Sequence, residues 1–413
     1  MKVTENNNPL WTKDFTIITV GSVVSKLGNA ISGFAMGLLV LDYSKSTFLY
    51  ALYMVLYMAP RVIVPLIAGP FLDKYSRKRT IYTLDFMSAL IYGIFATIIF
   101  TNHFSYIALV LGCVLLGSID SMYSVAYDSF YPMLVKDGNY TKAYSISSTL
   151  ETLTMVMVPV SAFLYNLVGI GPLFLFNAIT FLIAAIFEMQ IKAKEEYTKS
   201  KDNEFSLNQY KKDFIEGVNY LKAERGLLAI TIYFTLTMFA NGALQTLALP
   251  YFKANFTSGE YIFIAVMGFS VLGRIIGGAI HYKYKYPVNK KFTIALFVYI
   301  ALTIMDGSFL YFPLEIMMLL RFLGGILGVT SYNIRISATQ SYVSDERKGR
   351  FNGIFQMFVT LGMMIGGLLA GALAEFVYEP YVISGFMVVN MLAVFFIMYR
   401  MRNHVKPIYN RHA

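Results

Sequence analysis

The stretch Gly69-Pro70-Phe71-Leu72-Asp73-Lys74-Tyr75-Ser76-Arg77-Lys78-Arg79 separates two long apolar segments. Its last six residues carry four cations, at positions 74, 77, 78 and 79, and such a run is too costly to bury in hydrocarbon. We therefore interpret it as an aqueous loop between two membrane helices. Its density of Lys and Arg predicts that it lies on the cytoplasmic side, which orients both helices.

The composition is that of an integral membrane protein. Of the 413 residues, 57% are hydrophobic and only 14% are charged, whereas about a quarter of the residues of a soluble domain are charged. The mean hydropathy is +0.57. Residues 1–13 are polar and lack the basic-then-apolar pattern of a cleaved signal peptide, so we expect the first apolar segment to be retained as a span.

Twelve apolar segments are long enough to cross a bilayer, which takes about 20 helical residues. The sequence therefore predicts an all-α membrane protein with twelve transmembrane helices. The predicted spans cover residues 14–41, 48–72, 80–101, 104–132, 143–168, 171–191, 227–250, 259–282, 291–311, 313–341, 351–377 and 381–401.

The net charge of +10 is explained by topology. With both termini in the cytoplasm, most of the 34 Lys and Arg fall in cytoplasmic segments, and only Lys45 and Lys253 fall in external loops. A basic rim of this kind meets the anionic headgroups of the inner leaflet. We therefore expect membrane lipids as partners and no nucleic acid.

A polar segment divides the spans into two sets of six. The predicted domains are an N-terminal bundle at 1–191, a cytoplasmic linker at 192–226 with an amphipathic helix, and a C-terminal bundle with a cytoplasmic tail at 227–413. A basic loop follows the second span of each half, at 74–79 and 281–291. Weak repetition of this kind is expected of two six-helix halves around a central cavity.

The loop at 69–79 resembles the signature loop between the second and third helices of the Major Facilitator Superfamily. That signature is Gly, three residues, Asp-Arg/Lys, any residue, Gly, and a basic cluster. Ser76 stands where the second glycine is usual, and the drug:proton antiporter branch, which includes macrolide-efflux and multidrug exporters, often has a polar residue there. The resemblance implies two pseudo-symmetric six-helix halves whose first, fourth, seventh and tenth spans line a central cavity.

Charged residues within spans require a partner, water or a function. They are Lys26, Arg61, Asp85, Asp120, Asp128, Glu151, Glu188, Arg274, Asp306, Arg321 and Arg335. Lys26 and Asp120 lie near the middle of the first and fourth spans, and the resemblance places both at the cavity. We predict that they couple transport to protons, since separating a carboxylate from a cation favours proton uptake. The alternative is a permanent, purely structural ion pair. Asp128 and Glu151 are reserve candidates.

A second group is predicted to control gating. In the resembled family the loop Asp closes the cytoplasmic side against the opposite half. Here this role would fall to Asp73, assisted by Arg77 and Asp85, with Arg350 as the partner. The alternative is a loop held by local ion pairs alone.

The substrate is expected to contact polar and aromatic side chains of the cavity, among many Met, Phe and Tyr residues that suit several ligand shapes. The candidates are Asn29, Arg61, Tyr123, Tyr127, Asn241, Gln245, Tyr332 and Asn333.

No pattern of an enzyme is found in the sequence. The four His are scattered, Cys113 is the single cysteine, and no catalytic triad, metal-ligand spacing or phosphate-binding glycine loop occurs. We therefore expect no catalytic residues, no metal and no cofactor, and we expect a gradient to drive transport.

The predicted function is proton-coupled efflux of hydrophobic or amphiphilic small molecules by alternating access. The direction of transport comes from the resemblance. We expect a monomer in the bacterial plasma membrane, crossing it many times, with protons and a small-molecule substrate as partners. The alternatives are a transporter of an anionic metabolite or amphiphile, and a receptor or lipid-handling scaffold that transports nothing.

Overall fold

A computed structural model describes residues 10–411 of the chain, except 104, 136–138, 194, 196–206 and 284–285. Within this part of the chain the regular secondary structure is helical, without a strand. Eleven helices of the described residues are long and apolar enough to cross a membrane. The remaining predicted span, 143–168, lies on a helix whose described apolar part is Met157–Val168. The predicted all-α membrane fold is confirmed.

The helices follow one another along the whole described chain. Those before the polar segment are α1 (Lys13–Ser44), α2 (Thr47–Met58), α3 (Pro60–Lys74), α4 (Arg77–Phe100), α5 (Tyr106–Phe130), α6 (Tyr140–Val168) and α7 (Ile170–Glu188). Those after it are α8 (Leu207–Ala223), α9 (Arg225–Asn255), α10 (Gly259–Lys283), α11 (Lys291–Ser308), α12 (Leu314–Tyr342), α13 (Asp345–Leu373), α14 (Glu379–Ala393) and α15 (Arg402–Tyr409).

The second predicted span is broken rather than continuous. The prediction treated 48–72 as one helix, but α2 ends at Met58 and α3 begins at Pro60. Proline has no backbone N–H and its ring clashes with the preceding turn, so it starts a helix more readily than it continues one. One residue, Ala59, separates the two helices.

The basic loop is shorter than predicted. Helix α3 ends at Lys74 and α4 begins at Arg77. The Ser76 hydroxyl accepts a hydrogen bond from the backbone N–H of Arg79 at 3.0 Å and donates one to Glu195 at 2.6 Å. Serine is a favoured N-cap residue because its oxygen satisfies an otherwise unpaired N–H group. Ser76 therefore starts α4 at the position where the family signature has glycine.

Residues 1–45 and 56–205 belong to one compact unit, and residues 46–55 and 206–413 to the other. The boundary at 192–226 stays a prediction. In the first unit α1 packs against α6 and α7, α4 packs against α5 and α7, and α3 packs against α5. Phe15, Ile18 and Phe130 are fully buried in a core of this unit.

In the second unit α9 packs against α13, α10 against α12, and α11 against α14. Helix α8 covers the predicted amphipathic segment and lies against α13. The Glu216 carboxylate accepts a hydrogen bond from Arg350 at 3.0 Å, and the Arg347 guanidinium lies 4.8 Å from the centre of the Tyr220 ring. Burial and Glu224 raise the pKa of Tyr220, and Arg347 opposes the shift.

Glycine allows the closest approach between α9 and α13. A Cβ at Gly366 would overlap the backbone carbonyl of Phe239, whereas a Cβ at Gly353 on the same helix would meet nothing within 4 Å. We expect Gly366→Ala to cost about 3 kcal/mol, because the backbone of α9 cannot yield as a side chain can. Gly353→Ala should be neutral or slightly stabilising. Thermal unfolding in detergent measures both, and equal midpoints would contradict this packing.

Candidate functional site

Asp120, on α5, is held by three residues of the first unit. Tyr57 donates its hydroxyl hydrogen to Oδ2 at 2.6 Å, and Asn29 donates from Nδ2 to Oδ1 at 3.2 Å. Arg61 Nη2 lies 3.6 Å from Oδ2. The Asp120 side chain is nevertheless 28% exposed. This carboxylate is therefore fixed in position and still within reach of solvent or a ligand.

Two of the groups at Asp120 lie on either side of the break at Pro60. Tyr57 lies near the end of α2 and Arg61 near the start of α3. The Arg61 guanidinium is 5.8 Å from the centre of the Tyr57 ring. On α5, a Cβ at Gly117 would overlap the carbonyl oxygen of Tyr57. The glycine, one turn before Asp120, thus allows the broken helix to approach.

Asn29 is oriented by a second set of hydrogen bonds. Its Oδ1 accepts from the Tyr92 hydroxyl at 3.3 Å and from Asn177 Nδ2 at 3.4 Å. Because both donors face the carbonyl oxygen, the amide nitrogen is left to donate to Asp120. Asn177 is fully buried and also accepts from Thr180 at 3.1 Å.

Lys26, predicted to couple with Asp120, lies over an aromatic ring. Its ammonium group lies 5.5 Å from the centre of the Tyr127 ring. Among the described residues, the cation within 4 Å of Asp120 is Arg61. The resemblance placed Lys26 and Asp120 at one cavity, but it does not show which cation lies nearest to the carboxylate. The alternative, a permanent ion pair between Lys26 and Asp120, is not formed, and their coupling in transport stays a prediction.

The second unit contains a cavity of about 500 Å³ between α9, α10, α11, α12 and α13. Three arginines line it, Arg274, Arg321 and Arg335, against one carboxylate, Asp306. The wall also includes aromatic rings and the polar side chains of Asn241 and Gln356. Since cations outnumber the anion three to one, the cavity carries a positive charge.

Arg321 and Asp306 form a tight ion pair within this wall. Arg321 Nη1 lies 2.5 Å from Asp306 Oδ1, and the two side chains are 14% and 15% exposed. The guanidinium also lies 5.4 Å from the centre of the Phe309 ring. Charge-assisted hydrogen bonds of this kind are short and strong. The pair therefore fixes α11 to α12 at the cavity.

Arg335 is held by aromatic rings rather than by an acid. Its guanidinium carbon lies 4.7 Å from the centre of the Phe355 ring, 5.2 Å from that of Phe234 and 5.4 Å from that of Tyr332. No carboxylate of the described residues lies within 4 Å of it. Aromatic faces attract a cation through their quadrupole but do not neutralise its charge. Arg335 thus presents a positioned, uncompensated positive charge to the cavity.

The other predicted cavity residues do not all lie at one site. Asn241 and Tyr332 line the cavity of the second unit, and Gln245 and Asn333 do not. Tyr123 and Tyr127 stack on each other in the first unit with ring centres 6.0 Å apart. Asp128 is exposed near the end of α5, and the Glu151 side chain lies outside the described residues.

The predicted gating residues do not form one group in the described chain. The Asp73 side chain lies outside the described residues, so its pairing with Arg350 stays a prediction. Arg77 Nη1 lies 3.1 Å from Met133 Sδ, and Arg350 is paired with Glu216. Asp85 is buried and accepts from the Ser25 hydroxyl at 3.5 Å.

Tyr57 is the residue of the Asp120 site that the sequence reasoning missed. A tyrosine four residues before an arginine, with a proline between them, was a usable signal, because such a spacing places both side chains on one side of a kinked segment. Arg274, Asp306, Arg321 and Arg335 were recognised as charges in spans. Their convergence on one cavity was not predicted.

Two curated relatives are similar to this chain over part of its length. An uncharacterized MFS-type transporter, YkuC of Bacillus subtilis (strain 168), is 24% identical over 288 residues, which are 66% of this chain and 66% of the relative. Macrolide efflux protein A of Streptococcus pyogenes is 22% identical over 273 residues, which are 65% of this chain and 66% of the relative. The matched region thus spans just under two thirds of each relative.

Solved structures show the same fold at low sequence identity. The nucleoside transporter NupG superposes with a TM-score of 0.67 at 13% identity, covering 95% of this chain and all of NupG. A bacterial homologue of the iron transporter ferroportin, in an inward-facing state, superposes with a TM-score of 0.68 at 13% identity. The match covers 95% of this chain and 98% of the homologue. The family model of the Major Facilitator Superfamily matches residues 18–314 and 292–412. This multi-pass membrane protein therefore belongs to the Major Facilitator Superfamily, whose members are transporters of small-molecule substrates and not enzymes.

Proposed function

We propose that this transporter exports amphiphilic small molecules from the cytoplasm in exchange for protons. It would reside as a monomer among the lipids of the bacterial plasma membrane, with both termini cytoplasmic. The observation that carries the proposal is the Asp120 site, a carboxylate fixed by Tyr57, Asn29 and Arg61 yet still 28% exposed. An accessible carboxylate among apolar helices is a suitable carrier for a proton.

The contacts of Asp120 suggest how its proton affinity changes during transport. Tyr57, Asn29 and the Arg61 cation all stabilise the ionised carboxylate. A rearrangement that withdraws Arg61 removes the nearest positive charge and favours proton uptake. Arg61 suits this role because its side chain is 52% exposed and its distance to Asp120, 3.6 Å, is longer than that of a charge-assisted hydrogen bond.

The export direction and the amphiphilic substrate are supported by the relatives. One of them is named as a macrolide efflux protein, which places at least one efflux protein among the similar sequences. The cavity of the second unit combines aromatic rings with charged and amide groups. Such a mixture binds molecules with both an apolar body and polar substituents.

Proteoliposomes containing the purified full chain test this proposal. They would be loaded with macrolides, lipophilic cations and amphiphilic anions, and efflux would be compared with and without an imposed proton gradient. Gradient-driven efflux of at least one amphiphilic class supports the proposal. Efflux that ignores the gradient would remove proton coupling, and no movement of any compound would favour a non-transporting scaffold.

A second candidate function is transport of an anionic amphiphile. The three arginines and single carboxylate of the cavity favour it, and Arg335 has no carboxylate within 4 Å among the described residues. A carboxylate or phosphate group would supply the missing negative charge, and an attached apolar part would pack on the aromatic rings.

Arg335→Gln tests this second candidate. If an anion binds at Arg335, losing a charge-assisted hydrogen bond of about 1.5–3 kcal/mol should weaken its apparent affinity roughly 10- to 100-fold. Arg335→Lys should retain part of the affinity. Arg402→Gln is the matched control, since Arg402 also lies on an aromatic ring, 4.7 Å from the centre of Tyr399, but outside the cavity. Unchanged anion affinity in Arg335→Gln would exclude this site.

A further inference from the structure

Two carboxyl groups are buried together in the first unit, close to the Asp120 site but not part of it. Asp85 on α4 is 1% exposed, and Glu188, the last residue of α7, is fully buried. The two carboxyl groups lie next to each other. A Cβ at Gly21 of α1 would come within 3.1 Å of Glu188 Oε1, so α1 covers the pair closely and keeps water out.

The surrounding groups do not supply enough donors for the pair. The Ser25 hydroxyl donates to Asp85 Oδ2 at 3.5 Å, and the Tyr123 hydroxyl donates to Glu188 Oε1 at 3.4 Å. The other oxygens, Asp85 Oδ1 and Glu188 Oε2, are buried with no donor among the described residues. One buried oxygen of each of these adjacent acids is therefore left without a donor.

No cation of the described residues lies within 4 Å of either acid. The titratable groups that face the pair are Tyr123, Tyr127 and Asp120 on α5. On two of the helices that surround the pair, a cation has another partner. On α1, the Lys26 ammonium lies over the Tyr127 ring, and on α4, Lys78 donates to the carbonyl of Ile191 at 2.8 Å.

Two ionised carboxylates are not expected in such an environment. Burying a charge without a partner is costly, and two like charges side by side cost more. A carboxylate only accepts hydrogen bonds, so a hydrogen bond between two carboxyl groups requires that one of them carry a proton. A single shared proton satisfies both unpaired oxygens and removes one of the two charges.

We infer that Asp85 and Glu188 form one site that binds a single proton between their carboxyl groups. The site lies close to Asp120 in the fold. Ser25 precedes Asn29 by four residues on α1, and Tyr123 follows Asp120 by three on α5, so the two sites are separated by about one helical turn of 5.4 Å. Use of this proton in transport rests on the proposed function, whereas its presence does not.

A sodium ion is the competing ligand for two carboxylates and two hydroxyls. Within the described residues, no group of three or more His, Cys, Asp or Glu is arranged to hold a metal ion. A two-acid site supplies few of the six or more oxygens that hard cations commonly take from a protein. A proton needs only the two oxygens that lack a donor, so the contacts of this site favour a proton over a sodium ion.

Infrared spectroscopy of the purified full-length protein tests the inference. At neutral pH the wild type should show the carbonyl stretch of a buried protonated carboxyl group. Asp85→Asn and Glu188→Gln should each lose this band, because the new amide donates the hydrogen bond that the proton supplied. Glu315→Gln removes an exposed carboxyl of α12 and should keep the band. Absence of the band from the wild type, or its survival in both variants, would overturn the inference.

The pH dependence of stability gives a second readout. If the folded chain holds one proton that the unfolded chain releases, the thermal midpoint of the wild type must fall as pH rises. Glu188→Gln should remove this part of the pH dependence. If sodium chloride raised the thermal midpoint of the wild type more than choline chloride does, and Asp85→Asn lost this difference, the ligand of the site would be a sodium ion and not a proton. The infrared band and the pH dependence of stability do not depend on transport. A failure of gradient-driven efflux would therefore count against the proposed function and not against the shared proton.

Discussion

Asp120→Asn is expected to abolish the response of efflux to an imposed proton gradient while substrate still exchanges passively. Asparagine keeps the size of the side chain and an oxygen that accepts from Tyr57, but it cannot bind and release a proton. In proteoliposomes, gradient-driven efflux should fall to the rate measured without a gradient.

Asp42→Asn provides a matched control for that experiment. Asp42, near the end of α1, also accepts from a tyrosine hydroxyl, that of Tyr165 at 2.8 Å, and has a cation nearby, Lys45 at 3.9 Å. Asp42 thus has the same kinds of contact as Asp120, but with other residues, and it is distant from Asp120 along the chain. Asp42→Asn should respond to the gradient as the wild type does. Full gradient-driven efflux in Asp120→Asn would assign proton coupling to another carboxyl group, with the Asp85–Glu188 pair as the next to be tested.

Arg321→Met is expected to produce a large loss of stability. It leaves Asp306, only 15% exposed, without its cation, and removing one partner of a buried pair typically costs about 3–5 kcal/mol. The double variant Arg321→Met with Asp306→Leu should recover much of the loss, since it leaves no unpaired charge. Unfolding in increasing concentrations of a denaturing detergent gives the comparison.

An exposed ion pair serves as the control for this second prediction. Glu216 and Arg350 lie 3.0 Å apart with side chains 46% and 48% exposed. Exposed pairs contribute about 0–1 kcal/mol, so Glu216→Gln should change stability little. If Arg321→Met were no more destabilising than Glu216→Gln, the interpretation of Arg321 and Asp306 as a buried ion pair that stabilises the cavity wall would be wrong.

The fold was largely predictable because each membrane span must satisfy its backbone internally, which makes long apolar segments helical. The residues that the signature identified lie at the end of α3, in the short loop at 75–76 and at the start of α4. The break at Pro60 was missed because hydropathy alone does not show where one helix ends and the next begins within an apolar segment. Proline is tolerated within membrane segments, so its presence did not decide between a kink and a break.

The site was less predictable because it depends on the rotation of each helix. Adjacent residues of a helix point about 100° apart, so Tyr332 lines the cavity and Asn333 does not. The cation nearest to Asp120 was not predictable for a related reason. Arg61, within 4 Å of Asp120, belongs to α3, and the Lys26 ammonium lies over the Tyr127 ring.

Reciprocal coupling of substrate and protons tests the central claim most directly. Proteoliposomes loaded with an exported amphiphile and a pH-sensitive dye would be diluted into substrate-free buffer with no initial proton gradient. If the transporter exchanges substrate for protons, outward movement of substrate must drive protons inward, and the lumen should acidify in the wild type but not in Asp120→Asn. Exit of substrate with no change in lumenal pH would contradict proton-coupled exchange.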